Sequence, residues 1–373
     1  MKVPLERQLR ILCLCQEDNH RKLLPAYAQA FRARGVEFHA VDWFPAFDSS
    51  MDDILQHFQK QPDWIFHFES DFPLLPGGLE KSAIPTVCFQ VDSYTYLKRR
   101  LRWSSLFDHA AVFHPGHEIL FNEGGHPGAF LLPHAVRRAL YDVADLPREF
   151  EVGFVGQTRG AIYHKREELI TELARTFRMN DWSRTYSLEE VAEVYRRSRV
   201  AVNIGRDDFP QDANMRVFEI LASGALLITS LPSELSGVGL EEGVHFVGYR
   251  KASEVFPLVR RFLGDEAARL RIVRAARARI LEEHTYDHRV EQLLQRLQEA
   301  GTRKLAPARH WSESRTRLVY LDFFAAHALL DCAESQFRYI AGRGFRETVE
   351  GAALLAKARM KQFKTAWQER GLS

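Results

Sequence analysis

Short apolar runs alternate with helix-length amphipathic segments over the first 140 residues, and this alternation constrains the fold more than any other feature. The runs are ILCLC from Ile11, VEFHAV from Val36, DWIFHF from Asp63, PTVCFQV from Pro85, HAAVFH from His109 and AFLLP from Ala129. Buried strands joined by helices form a parallel sheet covered by helices. We therefore expect an α/β domain with six strands over residues 1–140, with helices near 20–34, 51–59 and 94–103.

The same alternation restarts after a linker-like segment, LPHAVRRALYDVADLPREF. New apolar runs are EVGFVG from Glu151, RVAVNI ending at Ile204, and ALLITS from Ala225. Helix patterns cover 164–177, 188–198 and 215–223; Ser187 and Glu190 have the spacing of a capping box, and Gly224 suits a helix end. Two long helices follow residue 254. The sequence thus predicts a second doubly wound domain over residues 141–300.

The sheet pattern ends near Pro307. Two long helical patterns, 313–340 and 345–368, are separated by glycines, so we expect a helical hairpin as a C-terminal extension over residues 301–373. This segment has 13 Lys or Arg and 7 Asp or Glu. Such a basic hairpin suggests contact with a partner or a membrane surface, and a solvated charged face is the alternative.

Composition limits the class of protein. The chain of 373 residues has a formal net charge of +2, which gives no overall attraction to nucleic acid. No apolar stretch approaches the roughly 18 residues needed to span a bilayer, and the first residues lack the apolar core of a signal peptide. Four cysteines match no zinc or redox spacing. We expect a soluble cytoplasmic protein.

Two doubly wound domains in series bind ligands at the carboxyl ends of their strands. In the second domain these ends supply the segment 156–160 and Asn203. The helix that begins near Asn214 offers free amide groups to an anion, so a phosphate fits this edge.

The helix NMRVFEILASG carries two stripes. Val217, Ile220 and other apolar residues can face the sheet, whereas Arg216, Glu219 and Ser223 share the opposite face. A carboxylate there can accept hydrogen bonds from ribose hydroxyls, and Arg216 can neutralise a diphosphate. The alternative is a solvent-exposed Arg216–Glu219 ion pair of little energetic consequence.

These residues carry a resemblance. The run NMRVFEILASGALLITS, with GVHFVGYRKASEV and EEHTYDHRVEQLL after it, resembles the carboxyl-terminal domain of GT-B glycosyltransferases of the family-4-like group, closest to the CgeB-like spore-maturation branch. EVGFVGQTRG and LPHAVRRALY are similar to the same group. The resemblance covers roughly residues 85–298 and implies two facing Rossmann-like domains.

The resemblance implies specific roles. Glu219 stands at the second glutamate of the family's Glu-x7-Glu motif, which binds the donor ribose, whereas Gln211 stands at the first. We therefore expect Glu219 to serve in catalysis as well as in donor binding. The expected donor-binding residues are Gly156, Gln157, Thr158, Arg159, Lys165, Asn203, Asn214, Met215, Arg216 and Glu219. Such enzymes usually retain the anomeric configuration and need no metal, so no cofactor is expected beyond the nucleotide-sugar substrate.

Absent motifs favour the same reading. The chain has no Asp-x-Asp, which argues against a metal-dependent GT-A transferase. It also lacks the G-x-G-x-x-G of dinucleotide oxidoreductases and the P-loop of kinases.

The first domain should hold the acceptor, and a protein, a glycan and a small molecule are all open as its identity. Asp92, after the fourth strand, could act as a base or position an acceptor hydroxyl, but a helix cap would look identical in sequence. Other polar residues at strand ends are Glu69, Asp71, Ser93, His114 and His117. The two histidines lack the carboxylate or cysteine partners of a zinc site, and His134 is read as a structural hydrogen-bonding residue.

Two hypotheses follow from the sequence. The first is a metal-independent glycosyltransferase using a UDP, GDP or dTDP sugar. The second is a non-catalytic sugar-nucleotide or glycan-binding coat or scaffold protein of the same fold, which Gln211 would favour.

Overall fold

The computed structural model describes residues 8–15, 23–41, 43, 45–68 and 74–369. Its contacts divide the chain into two compact units. The first takes in the described residues of Met1–Phe113, His117–Leu131 and Leu297–Ser373, and the second takes in His114–Gly116 and Leu132–Arg296. The last helices are therefore grouped with the first unit, whereas the sequence analysis treated residues 301–373 as an extension.

The first unit contains a parallel sheet in which six strands are described, in the order β2-β1-β3-β4-β5-β6. The strands are β1 Arg10–Cys13, β2 Glu37–Ala40, β3 Trp64–His67, β4 Thr86–Gln90, β5 His109–Val112 and β6 Ala129–Leu131. The helices between them are α1 Leu23–Ala33, α2 Met51–Leu55, α3 Leu97–Ser104 and α4 His117–Glu123. Every apolar run of the first domain contains one of these strands, so the predicted strand pattern is confirmed.

Helix α3 begins differently from the prediction. It starts after Tyr96, which has a left-handed φ of 52°, and Asp92 and Ser93 lie in a turn before it. The backbone oxygen of Asp92 accepts hydrogen bonds from the amide and the hydroxyl of Thr95. The expectation that Asp92 or Ser93 caps this helix is therefore wrong. The start expected for α1 at residue 20 lies outside the described residues.

The second unit has a parallel sheet in the order β10-β9-β8-β7. Its strands are β7 Phe150–Gly153, β8 Ser198–Asn203, β9 Leu226–Ser230 and β10 Val247–Tyr249. Its helices are α5 Arg138–Tyr141, α6 His164–Thr176, α7 Leu188–Arg196, α8 Met215–Ser223, α9 Val255–Gly264, α10 Glu266–Glu283 and α11 Tyr286–Ala300. The last residues of α11 are grouped with the first unit. The capping box at Ser187 is present, and Gly224 ends α8 with a φ of 81°. Both features confirm the sequence reading.

The C-terminal segment forms three described helices instead of the expected two: α12 Glu313–Ala326, α13 Leu330–Ile340 and α14 Phe345–Glu369. The first predicted helix is broken at Ala328, which has a left-handed φ of 60°. The amide of Ala328 bonds to the oxygen of Ala325, and the amide of Leu329 bonds to the oxygen of Phe324. This is the Schellman pattern that normally uses glycine, which is why the sequence did not reveal the break.

Helix α12 is part of the core of the first unit. Leu318, Leu321 and Phe324 lie in one buried cluster with strand residues such as Leu12 and Ile65. The hydroxyl of Tyr320, also on α12, donates to Glu80 Oε2 at 3.0 Å and lies 3.0 Å from Pro76 O. The C-terminal helices therefore help to build this unit.

Among the described residues, no helix combines the length and the apolar composition needed to cross a bilayer.

Replacing Phe324 with alanine tests the core role of α12. Because this ring is completely buried, its removal should lower the free energy of unfolding by about 3–5 kcal/mol. Phe345→Ala is the matched control, since the ring of Phe345 is exposed and its loss should change stability by less than about 0.5 kcal/mol. Urea denaturation of the two variants measures the difference, and equal stabilities would contradict a core role for α12.

Candidate functional site

The carboxyl ends of β7, β8 and β9 bring polar side chains together at one edge of the second sheet. Asn203, the last residue of β8, donates from Nδ2 to the hydroxyl of Thr229 on β9 at 3.0 Å. Its Oδ1 accepts from Nδ2 of Asn214 at 3.2 Å. Asn203 and Asn214, both predicted as site residues, are therefore linked directly.

Asn214 is the cap of α8. Its Oδ1 accepts from the amide of Arg216 at 3.1 Å, and its backbone has the extended conformation of an N-cap. The cap leaves the amide of Met215 at the open start of the helix, where the positive end of the helix dipole favours an anion. The predicted phosphate position at residues 214–216 thus has a defined local geometry.

The loop before α8 has a tight shape. A side chain on Gly205 would collide with the backbone of Pro210. The hydroxyl of Ser230, at the end of β9, donates to the oxygen of Pro210 at 2.5 Å. These contacts hold the segment 205–210 against the sheet edge without using its exposed side chains.

The polar stripe of α8 is enclosed by protein. Glu219 is 6% exposed and Ser223 is buried, whereas Arg216 is half-buried. The hydroxyl of Ser223 donates to Ile220 O and accepts from the amide of Ala225, so it closes the end of the helix. A solvent-exposed Arg216–Glu219 pair is therefore not what the structure contains.

The charges of Arg216 and Glu219 both affect the pKa of the Tyr195 phenol. Burial is the main cause that raises the pKa of Tyr195; Arg216 opposes this shift in pKa, and Glu219 adds to it. The carboxylate of Glu219 likewise adds to the burial that raises the pKa of Tyr141. The negative charge of Glu219 thus lies in a largely desolvated part of the unit.

A buried arginine that the sequence analysis missed organises the same edge. Arg166 donates from Nε to Ile204 O at 2.8 Å and from Nη1 to Gln157 O at 2.7 Å. It thereby ties the loop after β7 to the end of β8. Its position on the buried face of α6, in register with Leu169, Ile170 and Leu173, was the available signal.

Arg166 also marks a region of positive potential. Burial first, and then the charge of Arg216, lower the pKa of the Arg166 guanidinium, while Tyr163, Asp212 and Asp207 act in the opposite direction. Two guanidinium groups close enough to repel each other near a helix start favour a bound anion.

The remaining predicted residues of the β7 loop differ in exposure. Thr158 is buried and Gly156 is half-buried, whereas Gln157, Arg159 and Lys165 are exposed. Gln157 Nε2 lies 3.5 Å from Arg159 O, at the limit of a hydrogen bond. The structure therefore gives Arg159 in the loop and Lys165 on α6 solvent-exposed positions, whereas Arg166 on α6 is buried.

Three ionisable side chains meet before α8. His114 Nδ1 lies 2.8 Å from Glu234 Oε2 and 3.8 Å from Asp212 Oδ1. His114 and Asp212 are buried, and Glu234 is partly buried. Glu234 Oε2 also accepts from the amide of Ala213 at 3.1 Å. The expectation that His114 lacks carboxylate partners is therefore wrong, because residues distant in sequence supply them.

This cluster has the ligand types and spacing of a divalent-metal site, since the ligand atoms lie within 4.8 Å of one another. The same contacts also form a hydrogen-bonded clamp that fixes the turn before α8. His117 is grouped with the other unit, where its Nδ1 lies 2.8 Å from the hydroxyl of Ser93. The two histidines of the FHPGH segment therefore have separate partners.

On the acceptor side, Asp92 follows β4 and is half-buried. Among the described residues its carboxylate accepts no hydrogen bond, and only its backbone oxygen is used in the turn described above. Glu69 and Asp71, named with it from the sequence, lie outside the described residues.

His134 is a buried histidine of the second unit. Burial first, and then the charges of His114 and Arg289, lower the pKa of His134 to about 3. Arg289 also donates to the backbone oxygens of Pro133 and His134. His134 is thus held neutral in a segment that Arg289 anchors.

Replacing His134 with glutamine should change the pH dependence of stability. Because the pKa of His134 is about 3 in the folded protein and about 6.5 in an unfolded chain, the unfolded chain binds the extra proton as the pH falls below about 6.5. The free energy of unfolding should therefore decrease toward acid, with this histidine contributing up to ~1.4 kcal/mol per pH unit. Denaturation from pH 6.5 to 4 should show a shallower slope in His134→Gln. The same substitution at exposed His164 is the control, and an unchanged slope in His134→Gln would contradict this account.

Comparisons with known proteins identify the type of domain. Residues 134–295 match a protein family described as glycosyl transferase-like. This match covers β7 to β10, α8 and the clamp residues Asp212 and Glu234. A search of curated proteins finds no match to the chain.

Solved structures resemble the chain over most of its length. HepE of Anabaena, crystallised with UDP and glucose, has a TM-score of 0.56 at 11% identity, covering 78% of this chain and all of HepE. Sucrose-phosphate synthase of Thermosynechococcus elongatus has a TM-score of 0.57 at 14% identity, covering 79% of this chain and 99% of the synthase. The β-glucosyltransferase of phage T4 has a TM-score of 0.50 at 11% identity, covering 79% of this chain and 99% of the phage enzyme.

At these identities the likeness establishes the fold, which is the GT-B fold expected from the sequence. The chain therefore has a GT-B fold and contains a glycosyl transferase-like domain over residues 134–295.

Proposed function

We propose that this protein is a glycosyltransferase that transfers a sugar from a UDP, GDP or dTDP donor to a hydroxyl or amine of its acceptor. The observation that carries the proposal is the α8 edge of the second unit. There an amide-capped helix start, Arg216 and the buried carboxylate of Glu219 lie within the glycosyl transferase-like match. The presence of UDP or UDP-glucose in the HepE crystals supports a nucleotide-sugar donor.

We assign the donor ribose to Glu219. A carboxylate can accept hydrogen bonds from both ribose hydroxyls, and burial of Glu219 makes such bonds stronger than they would be in water. Asn203 and Asn214 fix the start of the same helix. The family-4-like resemblance gives Glu219 the same role, and the match of NMRVFEILASG further supports a CgeB-like branch.

We assign the diphosphate of the donor to the start of α8. As the bond from the sugar to the diphosphate breaks, negative charge grows on the leaving group, and preorganised donors stabilise it without rearranging. Arg216 and the amide of Met215 are such donors at the start of this helix. Exposed Arg159 in the β7 loop and exposed Lys165 on α6 are further cations that could reach a bound diphosphate. Arg166 holds the backbone of the β7 loop in position.

On this proposal the reaction retains the anomeric configuration and needs no metal. Electrostatic support for the diphosphate comes from cations and helix amides, which replace the cation of a metal-dependent transferase. Asp92 is assigned to the acceptor, as a base or a positioning group, because it follows a buried strand and its carboxylate is half-buried.

A binding protein without turnover is the second candidate. Gln211 stands where the family places a glutamate, and its backbone oxygen accepts from the amide of Glu234 at 3.0 Å. The two candidates differ in a single measurement. A transferase releases nucleoside diphosphate from its donor, whereas a binding protein holds the donor intact.

Glu219→Ala tests the ribose assignment. Removing a charged hydrogen-bond acceptor from a bound ligand typically costs about 1.5–3 kcal/mol, or roughly tenfold to a hundredfold in affinity. A thermal-shift panel of UDP, GDP and dTDP first selects the nucleotide, since a ligand at 100 times its Kd adds about 2.7 kcal/mol of stability. Calorimetric titration then compares wild type with Glu219→Ala and with the matched control Glu172→Ala, whose carboxylate is exposed on α6. Equal Kd values in a folded Glu219→Ala protein would refute the ribose role.

Chelation tests the metal-independent mechanism. With EDTA present, release of nucleoside diphosphate from the selected sugar nucleotide should proceed at the untreated rate, because Arg216 and the α8 amides support the leaving group. Added Mn²⁺ or Mg²⁺ should not increase that rate. Loss of release with EDTA and its recovery with either ion would contradict the prediction, and Glu234→Gln would then show whether the His114 cluster holds the ion. Intact donor, bound but not cleaved, would favour the binding protein.

A further inference from the structure

Helix α14 has two apolar faces. The inner face packs on the first unit: Leu355 is buried in its core, and Gly351 lies against Phe337 and Leu321. The opposite face is exposed and is also apolar. Its residues are Phe345, Val349, Ala353, Ala356, Met360 and Phe363.

These six residues, called here the outer stripe, lie along one line of the helix. At 100° per residue they fall within an arc of about 80° and span about 27 Å of helix. The exposed fractions of the large side chains are 88% for Phe345, 56% for Val349, 60% for Met360 and 72% for Phe363. Apolar side chains of this size, aligned and exposed, indicate a surface that is covered by something else.

Basic residues border the outer stripe. By helical spacing, Arg346, Lys357 and Lys364 lie along one edge, and Arg359 lies along the other. Arg359 pairs with Glu334 on α13. The acidic residue Glu350 is neutralised by Arg102 at 2.5 Å. The uncompensated charge along this face is therefore positive.

The second half of α14 is open to solvent. Residues 359–364 are all exposed, including Lys361 between Met360 and Phe363. The helix thus presents both its apolar stripe and its basic edge beyond the part that packs on α12 and α13.

We propose that the outer stripe of α14 binds an anionic membrane surface, with the helix lying in the plane of the interface. Apolar side chains enter the boundary between headgroups and acyl chains, while Arg346, Lys357 and Lys364 meet the anionic headgroups. Helix α14 is not apolar enough to cross the bilayer, which fits an in-plane arrangement. A second copy of the chain fits less well, because two such faces would bring basic edges together.

Binding of the full-length protein to vesicles tests this proposal. Vesicles of phosphatidylcholine with phosphatidylglycerol should sediment the protein, and vesicles of phosphatidylcholine alone should sediment far less. Raised salt should weaken the binding, because it screens the headgroup charge. Failure to bind the anionic vesicles would overturn the proposal.

Matched variants distinguish binding through the outer stripe from nonspecific binding by any exposed apolar or basic residues. Met360→Ser with Phe363→Ser should weaken binding to anionic vesicles about tenfold or more, since each buried methylene adds affinity. The control is Ile119→Ser with Leu120→Ser, an exposed apolar pair on α4 of the same unit, which should bind as wild type does. Lys357→Ser with Lys364→Ser should also weaken binding about tenfold or more, against Arg271→Ser with Arg274→Ser as the control for lost surface charge.

Circular dichroism establishes that each variant is folded before binding is compared. The stripe residues are exposed, so these substitutions should leave the melting temperature near that of wild type. Equal vesicle binding by the stripe variant and its control would overturn the proposal. So would light scattering that finds a dimer of wild type, lost in the stripe variant, without vesicle binding, because the stripe would then be an interface between copies of the chain.

Discussion

The α8 edge of the second unit depends on the hydrogen bonds of the Arg166 guanidinium. The loop after β7 and the end of β8 expose backbone oxygens that helices and strands leave unpaired, and Arg166 satisfies one from each. The donors of a guanidinium are fixed in a planar fork, so they hold two acceptors in a defined geometry, whereas the ammonium of a lysine is a compact charge on a flexible stem. Burial of that charge is costly, so the segments it joins cannot separate without leaving a buried cation unpaired. Arg166 therefore fixes the backbone of this edge at Gln157 and Ile204.

Burial gives the residues of α8 their chemical character. The sequence left open whether the polar face of α8 is exposed to solvent, whereas the structure encloses Glu219 and Ser223 on that face. In such surroundings a hydrogen bond to a carboxylate is stronger than it would be in water, and ligand hydroxyls can donate such bonds. Burial therefore makes Glu219 an effective group for holding a ribose on the proposed donor.

Local sequence signals predicted the elements, while long-range contacts decided the details that they missed. Apolar runs marked the strands because burial on both faces requires continuous hydrophobic residues, and Ser187 with Glu190 marked a helix start through bonds only three residues apart. The clamp of His114 could not be predicted in this way, since Glu234 lies 120 positions away. Likewise, the break at Ala328 uses a residue type that rarely ends helices, and the core role of α12 depends on contacts with distant strands.

The residue at position 211 changes the balance of charge at the proposed donor site without loosening its geometry. The turn that carries Gln211 is held by the backbone bond from Glu234, by the clamp of His114 on Ala213, and by the cap of Asn214. None of these contacts uses the side chain at 211, so glutamine in place of glutamate leaves the start of α8 in position. It removes one negative charge from a region that holds Arg166 and Arg216. On the proposed function, the site therefore attracts a diphosphate more strongly than a Glu-x7-Glu site would and relies less on a carboxylate to select the sugar.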